Sequence, residues 1–183
     1  MNDIGTVIER IGEFRTHPLG FFYLLDKGVE GMSARVHVWL PAGSDRPEND
    51  RHQHSFDIHS TVRLGRMQSE LFHFLETPGR GEQEFSVSYL DGKSILSATG
   101  RSGFLDPISR FDSRAGDSYF LQAGVIHRVA VVDRPCVTVL QTFEKGIPIY
   151  SYGSDAEEAP FERRLADVYE KDELMRVLKL VAD

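Results

Sequence analysis

Residues 3–15 place Ile4, Val7, Ile8 and Ile11 at helical spacing, which predicts a short amphipathic N-terminal helix. The period then falls from 3.6 to 2. Residues 20–25 hold the dense run Phe21-Phe22-Tyr23-Leu24-Leu25 and read as a buried strand. Residues 33–40 alternate, with Val36, Val38 and Leu40 on one side and Arg35, His37 and Trp39 on the other. Pro41-Ala42-Gly43-Ser44-Asp45-Arg46-Pro47 ends that run as a loop. From 52 to 75 the pattern is extended again, with a break near Gly65, and 76–82 is a turn-rich loop around Pro78, Gly79 and Gly81. Phe85, Val87 and Tyr89 alternate, and Asp91-Gly92 is a hairpin signal before Ile95 and Leu96. Residues 100–114 read as polar and irregular around Pro107. Short apolar runs at 119–121, 128–132 and 137–143 follow, each bounded by Gly, Pro or Asp. Past the acidic stretch 155–158 and Pro160, residues 161–181 set Leu165, Val168, Tyr169, Leu174, Val177, Leu178 and Val181 at helical spacing. That predicts one terminal helix, or two broken near Lys171, packed on the outside of the β portion. Many short strands between terminal helices predict an all-β sandwich or barrel with flanking helices. With no repeat and no low-complexity linker, 1–183 reads as a single domain, its barrel core at about 20–150 and its helical tail at about 155–183.

Composition narrows the class without naming a function. Hydrophobic residues make up 40% and charged residues 27% of the 183, ordinary for a globular domain. A net charge of −7 argues against nucleic acid or an anionic membrane surface as partner. The sole cysteine, Cys136, precludes an intrachain disulfide and fits a reducing compartment. The N-terminus carries Asp3, Glu9 and Glu13 and has no apolar run of signal-peptide type, and nowhere does the chain approach about 20 apolar residues. The expectation is a cytoplasmic protein.

Candidate chemistry is concentrated in the histidines. Of seven in the chain, three fall within eight residues, in His52-Gln53-His54-Ser55-Phe56-Asp57-Ile58-His59, and His127 follows the turn Gln122-Ala123-Gly124. Neutral imidazole is the commonest protein ligand for first-row transition metals, and side chains two apart on a strand share a face. His52, His54, His59 and His127 are therefore the candidate metal ligands. His59 is open between a ligand, a hydrogen-bonding partner behind the ligands and a core residue, and Asp57 is a hydrogen-bonding residue of the bend. His17, His37 and His73 are not expected to ligate. Arg35, Arg63 and Arg128 are candidate anchors for an anionic substrate, since guanidinium grips a carboxylate with two parallel bonds. Tyr119 and Gln141 are candidate cavity residues, and Glu70, His73 and Tyr119 are candidate general bases. Cys136, without a basic side chain that activates it, reads as a buried structural thiol.

These residues resemble the cupins, small β-barrels that hold a metal at their centre. The first cupin motif runs Gly, five residues, His-x-His, three or four residues, Glu, six residues, Gly. Here His52-x-His54 is present, His59 stands at the glutamate's place, Gly65 falls one residue early, and the leading glycine is replaced by Arg46. In the second motif Gly116, Gly124 and His127 fall at the family's spacing, with Gln122 for its proline and Val131 for its asparagine. The resemblance implies a double-stranded β-helix, or jelly-roll, with Fe(II) favoured over Ni, Zn, Mn or Cu. It also implies a homodimer, with segment 1–25 as the contributing part. The function it favours is an Fe(II) dioxygenase acting on a small organic substrate; from the residues themselves, Arg35, Glu70 and Tyr119 are the candidate catalytic side chains. Two alternatives stand beside it: a redox-neutral isomerase, lyase or hydrolase, and a non-catalytic small-molecule-binding cupin.

Overall fold

A few long strands that bend, rather than many short ones, build the barrel. The computed structural model describes residues 4–28, 31–42, 50–154 and 160–182. Among them the order is α1 (Ile4–Glu9), a 3-10 turn (Ile11–Glu13), β1 (Arg15–Thr16), β2 (Phe22–Lys27), β3 (Met32–Trp39) and β4 (Arg51–His52). There follow β5 (Phe56–Glu76), β6 (Glu82–Leu90), β7 (Lys93–Arg114), β8 (Ser118–Leu121), β9 (Ile126–Glu144), β10 (Tyr150–Gly153), β11 (Phe161–Glu162) and α2 (Val168–Lys179). The candidate loop at 41–47 and the acidic stretch at 155–158 lie largely or wholly outside the described residues.

β5 and β9 run antiparallel along most of their length and are shared between two sheets. Their outer halves sit with β3 and β8: Ile58 pairs with Thr142 and Leu121, and Val36 with Val139. Their inner halves turn into a second sheet, where β5 also pairs with β7, β7 with β6, β6 with β10, and β10 with β4. β4 then returns to β9 through the pair His52–His127 and closes the path. The register shifts between Val62 and Met67 mark the bend, and Gly65 stands there at φ 79°. The result is the expected all-β sandwich barrel, mostly antiparallel strand, with one helix near each end.

The helices cover one face of the first sheet. Ile4, Val7 and Phe14 from the N-terminal segment and Leu174, Val177 and Leu178 from α2 pack on Leu24, Val36, Val38, Val137 and Val139. Each such side chain contributes about 1.5–3 kcal/mol on burial. The opposite face of the same strands, carrying Tyr23, Arg35, His37 and Trp39, therefore points into the barrel. Phe21, Trp39, Val62, Met67 and Cys136 form one interior cluster, and Phe56, Ile58, Leu121 and Leu140 form another.

Two expectations are corrected. Residues 100–114 are not irregular but belong to β7, which continues through Pro107. Pro107 is tolerated where β7 skips Ile108 in its pairing with β5 and where, among the described residues, no strand pairs along its other edge. The tail is not helical from 161 either. Phe161 and Glu162 pair with Ser94 and Lys93 of β7, and the chain then crosses to β1, with Thr16 N–H donating to Arg164 O at 2.9 Å. α2 starts only at the capping box of Asp167 and Glu170 and passes Lys171 unbroken. No described helix is long and apolar enough to cross a membrane.

Candidate metal centre

His52 is the last residue of β4 and faces His127 directly across the ladder. His54 follows in the short loop to β5, and its backbone carbonyl accepts the N–H of Gly124 at 3.0 Å. Gly124 itself takes φ 81°, the left-handed turn that delivers His127 to the start of β9. Asp57 Oδ1 accepts the N–H of Ala123 at 2.9 Å, so the bend before β5 and the turn before β9 are tied twice. The three imidazole rings converge with centroids 4.6, 4.7 and 5.1 Å apart, and one nitrogen from each lies within 4.8 Å of the others. Around one ion, with metal–nitrogen bonds of about 2.1 Å, such nitrogens stand roughly 3–3.5 Å apart, within reach of small ring rotations.

The tautomers are set from behind. His52 Nδ1 lies 2.8 Å from Asp50 O and His127 Nδ1 lies 3.1 Å from Val125 O. A carbonyl only accepts, so each Nδ1 carries the proton and each Nε2 keeps its lone pair for an ion, the usual arrangement of ligating histidines. The third ring, His54, is stacked on Phe56 at 4.7 Å. Burial holds all three neutral. His127, 4% exposed, is pushed down to about 3 by burial and by His52 beside it. His54 lies well below its ordinary value and His52 below its own, burial being the main cause in both. The residues present thus fit a divalent transition metal held by three neutral imidazoles.

His59 is not brought to this group. It is exposed on β5, because Phe56, Ile58, Ser60 and Val62 occupy the inward positions of the alternation and His59 takes an outward one. Ile58 then fills the inward position, with three residues between it and His54 and six between it and Gly65, so the first motif's spacing places isoleucine where the resemblance calls for a carboxylate. Glu70 is also corrected. It lies on the outward side between Arg128 and Arg110, 2.6 Å from Arg128 Nε, which removes Arg128 as a free anchor. Arg63, His73 and Gln141 are exposed. Tyr119 is inside, its hydroxyl turned to Met67 Sδ at 3.7 Å, and burial pushes its pKa up. Arg35 is inside too, 4.5 Å over the Phe56 ring, with its Nε buried and without a partner. Cys136 is buried as expected, its thiol pushed up to about 12.

Two interior histidines were not among the candidates. His37 packs on Phe21 at 4.6 Å and is pushed down to about 3 by burial and then by Arg35 and Arg163. His17 stacks on Phe21 at 4.1 Å and lies well below its ordinary value. With His52, His54 and His127 they give a testable acid lability. A histidine depressed in the folded state contributes stability above its unfolded value of about 6.5, and that stability is lost as pH falls toward the folded value. At pH 5 His37 and His127 together cost about 4 kcal/mol relative to pH 8, on the order of 10 °C in Tm for a chain of this size. A metal-free melting temperature that stays flat between pH 8 and 5 would show that these rings accept protons in place.

No family model matches the chain, and neither does any curated protein. Some solved structures are similar to it. An oxalate decarboxylase from Lactobacillus farciminis, in a formate complex, is 13% identical with a TM-score of 0.40, over 73% of this chain and 31% of that one. A hydroquinone 1,2-dioxygenase with Cd2+ and 4-hydroxybenzonitrile is 17% identical with a TM-score of 0.44, over 78% and 71%. An oxalate oxidase with glycolate is 17% identical with a TM-score of 0.43, over 73% and 56%. The chain spans under a third of the length of the oxalate decarboxylase.

Proposed function

We propose that this protein is a metal-dependent enzyme of the cupin type acting on a small organic substrate, with an Fe(II) dioxygenase as the specific reading. The observation that supports it most is the convergence of three neutral imidazoles, two of them oriented by backbone carbonyls, inside a barrel. An ion held there supplies a Lewis acid and, as iron(II), a place for dioxygen and substrate to meet. The chain's own residues do the rest. His52, His54 and His127 hold the ion, Phe21, Trp39 and Phe56 keep water away, and Arg35 offers an unpartnered Nε to an anionic group on the substrate.

The redox-neutral alternative is less supported, because it needs a base and two of its three candidates, Glu70 and His73, lie on the outside of the barrel. The test is metal analysis of anaerobically purified protein together with oxygen-uptake screening of small aromatic and carboxylate substrates. About one iron per chain with substrate-dependent oxygen consumption is the expected result. Zinc, nickel or manganese at the same stoichiometry with no oxygen uptake would replace the dioxygenase by the redox-neutral reading.

A further inference from the structure

The barrel holds a second cation that the metal centre does not use. Arg163 follows β11 on the segment that crosses from β7 to β1, and that segment is fixed on both sides. Arg163 N–H donates to Gly92 O at 3.1 Å, and Arg163 O accepts from Arg15 Nη1 at 2.9 Å. The side chain is half-buried. Its Nε donates to Ser94 Oγ at 2.8 Å, and Nη2 lies 3.4 Å from His17 Nε2. The guanidinium stands 5.4 Å from the Tyr23 ring and 5.1 Å from the Tyr89 ring. Tyr23 is the register partner of His37, so this contact lies on the face that carries Arg35 and His37 into the barrel.

Neither guanidinium has a carboxylate partner among the described residues. Arg163 is met by a hydroxyl, an imidazole and two rings. Arg35, between Leu25 and Leu140 on the neighbouring strands, is met by the Phe56 ring and keeps its Nε unpartnered. The two are close enough to repel, and each disfavours protonation of His17 and His37. For Arg35, buried with an unpartnered Nε, the charge is costly unless an opposite charge arrives to meet it. Phe56 touches both Arg35 and His54, which puts Arg35 at the metal-centre end, whereas Tyr89, 57% exposed, puts Arg163 at the solvent end.

We propose that Arg35 and Arg163 form a two-point anchor for an organic dianion, Arg35 holding the group nearer the imidazoles and Arg163 the far one. This rests on the reading of the barrel as a substrate site and adds the substrate class: a small compound with two anionic groups. Arg163 is then a specificity residue supplied by the C-terminal crossing segment.

The test is calorimetric titration of metal-loaded protein with malonate, succinate, glutarate and adipate, each against the unbranched monocarboxylate of equal carbon number. At least one diacid is expected to bind tenfold or more tightly than its monoacid. Arg163→Met is expected to bring that ratio near one while leaving monoacid affinity within threefold, and Arg35→Met to weaken both. Should Arg163→Met fail to fold, Arg163→Lys serves, since it keeps a charge but loses the fork and should cut the ratio severalfold. A ratio below threefold for every pair, or a ratio unmoved by the Arg163 variants, overturns the proposal. Metal is measured on the same samples: full metal without diacid preference leaves the metal reading standing alone. Diacid preference without metal leaves the anchor standing and removes the centre.

Discussion

A His52→Ala/His54→Ala variant is expected to bind less than about a tenth of the metal held by the unsubstituted protein, with any turnover lost alongside it. Only His127 remains of the three converging imidazoles, and a single neutral ligand does not retain a divalent ion through purification. Removing even a hydrogen-bonding partner behind a ligand costs about 10–100-fold in affinity, so deleting two ligands outright costs more. Two further readouts separate loss of the site from loss of the fold. Metal at a thousandfold excess over its dissociation constant stabilises a folded site by about 4 kcal/mol, and that thermal shift should vanish in the variant. The metal-free variant should also be less sensitive to acid, since two rings that burial holds unprotonated are gone. His59→Ala is the matched control and should keep full metal, because its side chain is exposed on the outer face of β5. Metal retained by the double variant, or lost from His59→Ala, would remove the three-histidine centre.

Much of this was legible in the sequence, and the errors share a cause. The barrel class, the hairpin at Asp91-Gly92 and the group His52, His54 and His127 followed from period, turn chemistry and ligand spacing. The error at His59 came from counting residues to a motif rather than strand parity. One residue of slip moves a side chain to the other face, and Ile58, not His59, has the inward parity. The face of β3 was undecidable for a different reason. Alternation separates Val36 and Val38 from Arg35, His37 and Trp39 but does not say which set lies inside when both are covered. The helices take the valines, so the polar set becomes the lining, against the usual expectation that the apolar side faces the core. Arg163 had no local signal at all. Its role comes from a tertiary crossing that pairs residues near 93 and 15 with residues near 163, and the helical spacing of 161–181 concealed it.

Gly65→Ala is expected to destabilise the protein by about 3–5 kcal/mol, the larger part from steric contact and the rest from backbone strain. A Cβ on Gly65 would meet the carbonyl oxygens of Asp133 and Pro135 at 2.5 Å and Cys136 Cα at 3.0 Å. None of these is the movable end of a side chain. All three belong to β9 where its two halves meet, and the Cys136 side chain is packed inside the barrel. β9 would have to withdraw from β5 at the bend that both sheets share. Gly79→Ala is the comparison, since Gly79 has a similar φ of 73° but open space around its Cβ position. It should cost only about 1 kcal/mol, the price of the left-handed backbone alone. The difference in unfolding free energy between the two variants, from urea denaturation, measures the close approach. Because His127 is the second residue of β9, the same displacement should weaken metal binding in Gly65→Ala and leave it intact in Gly79→Ala. Equal stabilities for the two would mean that β9 yields at the bend, and that Gly65 is present for its backbone angle alone.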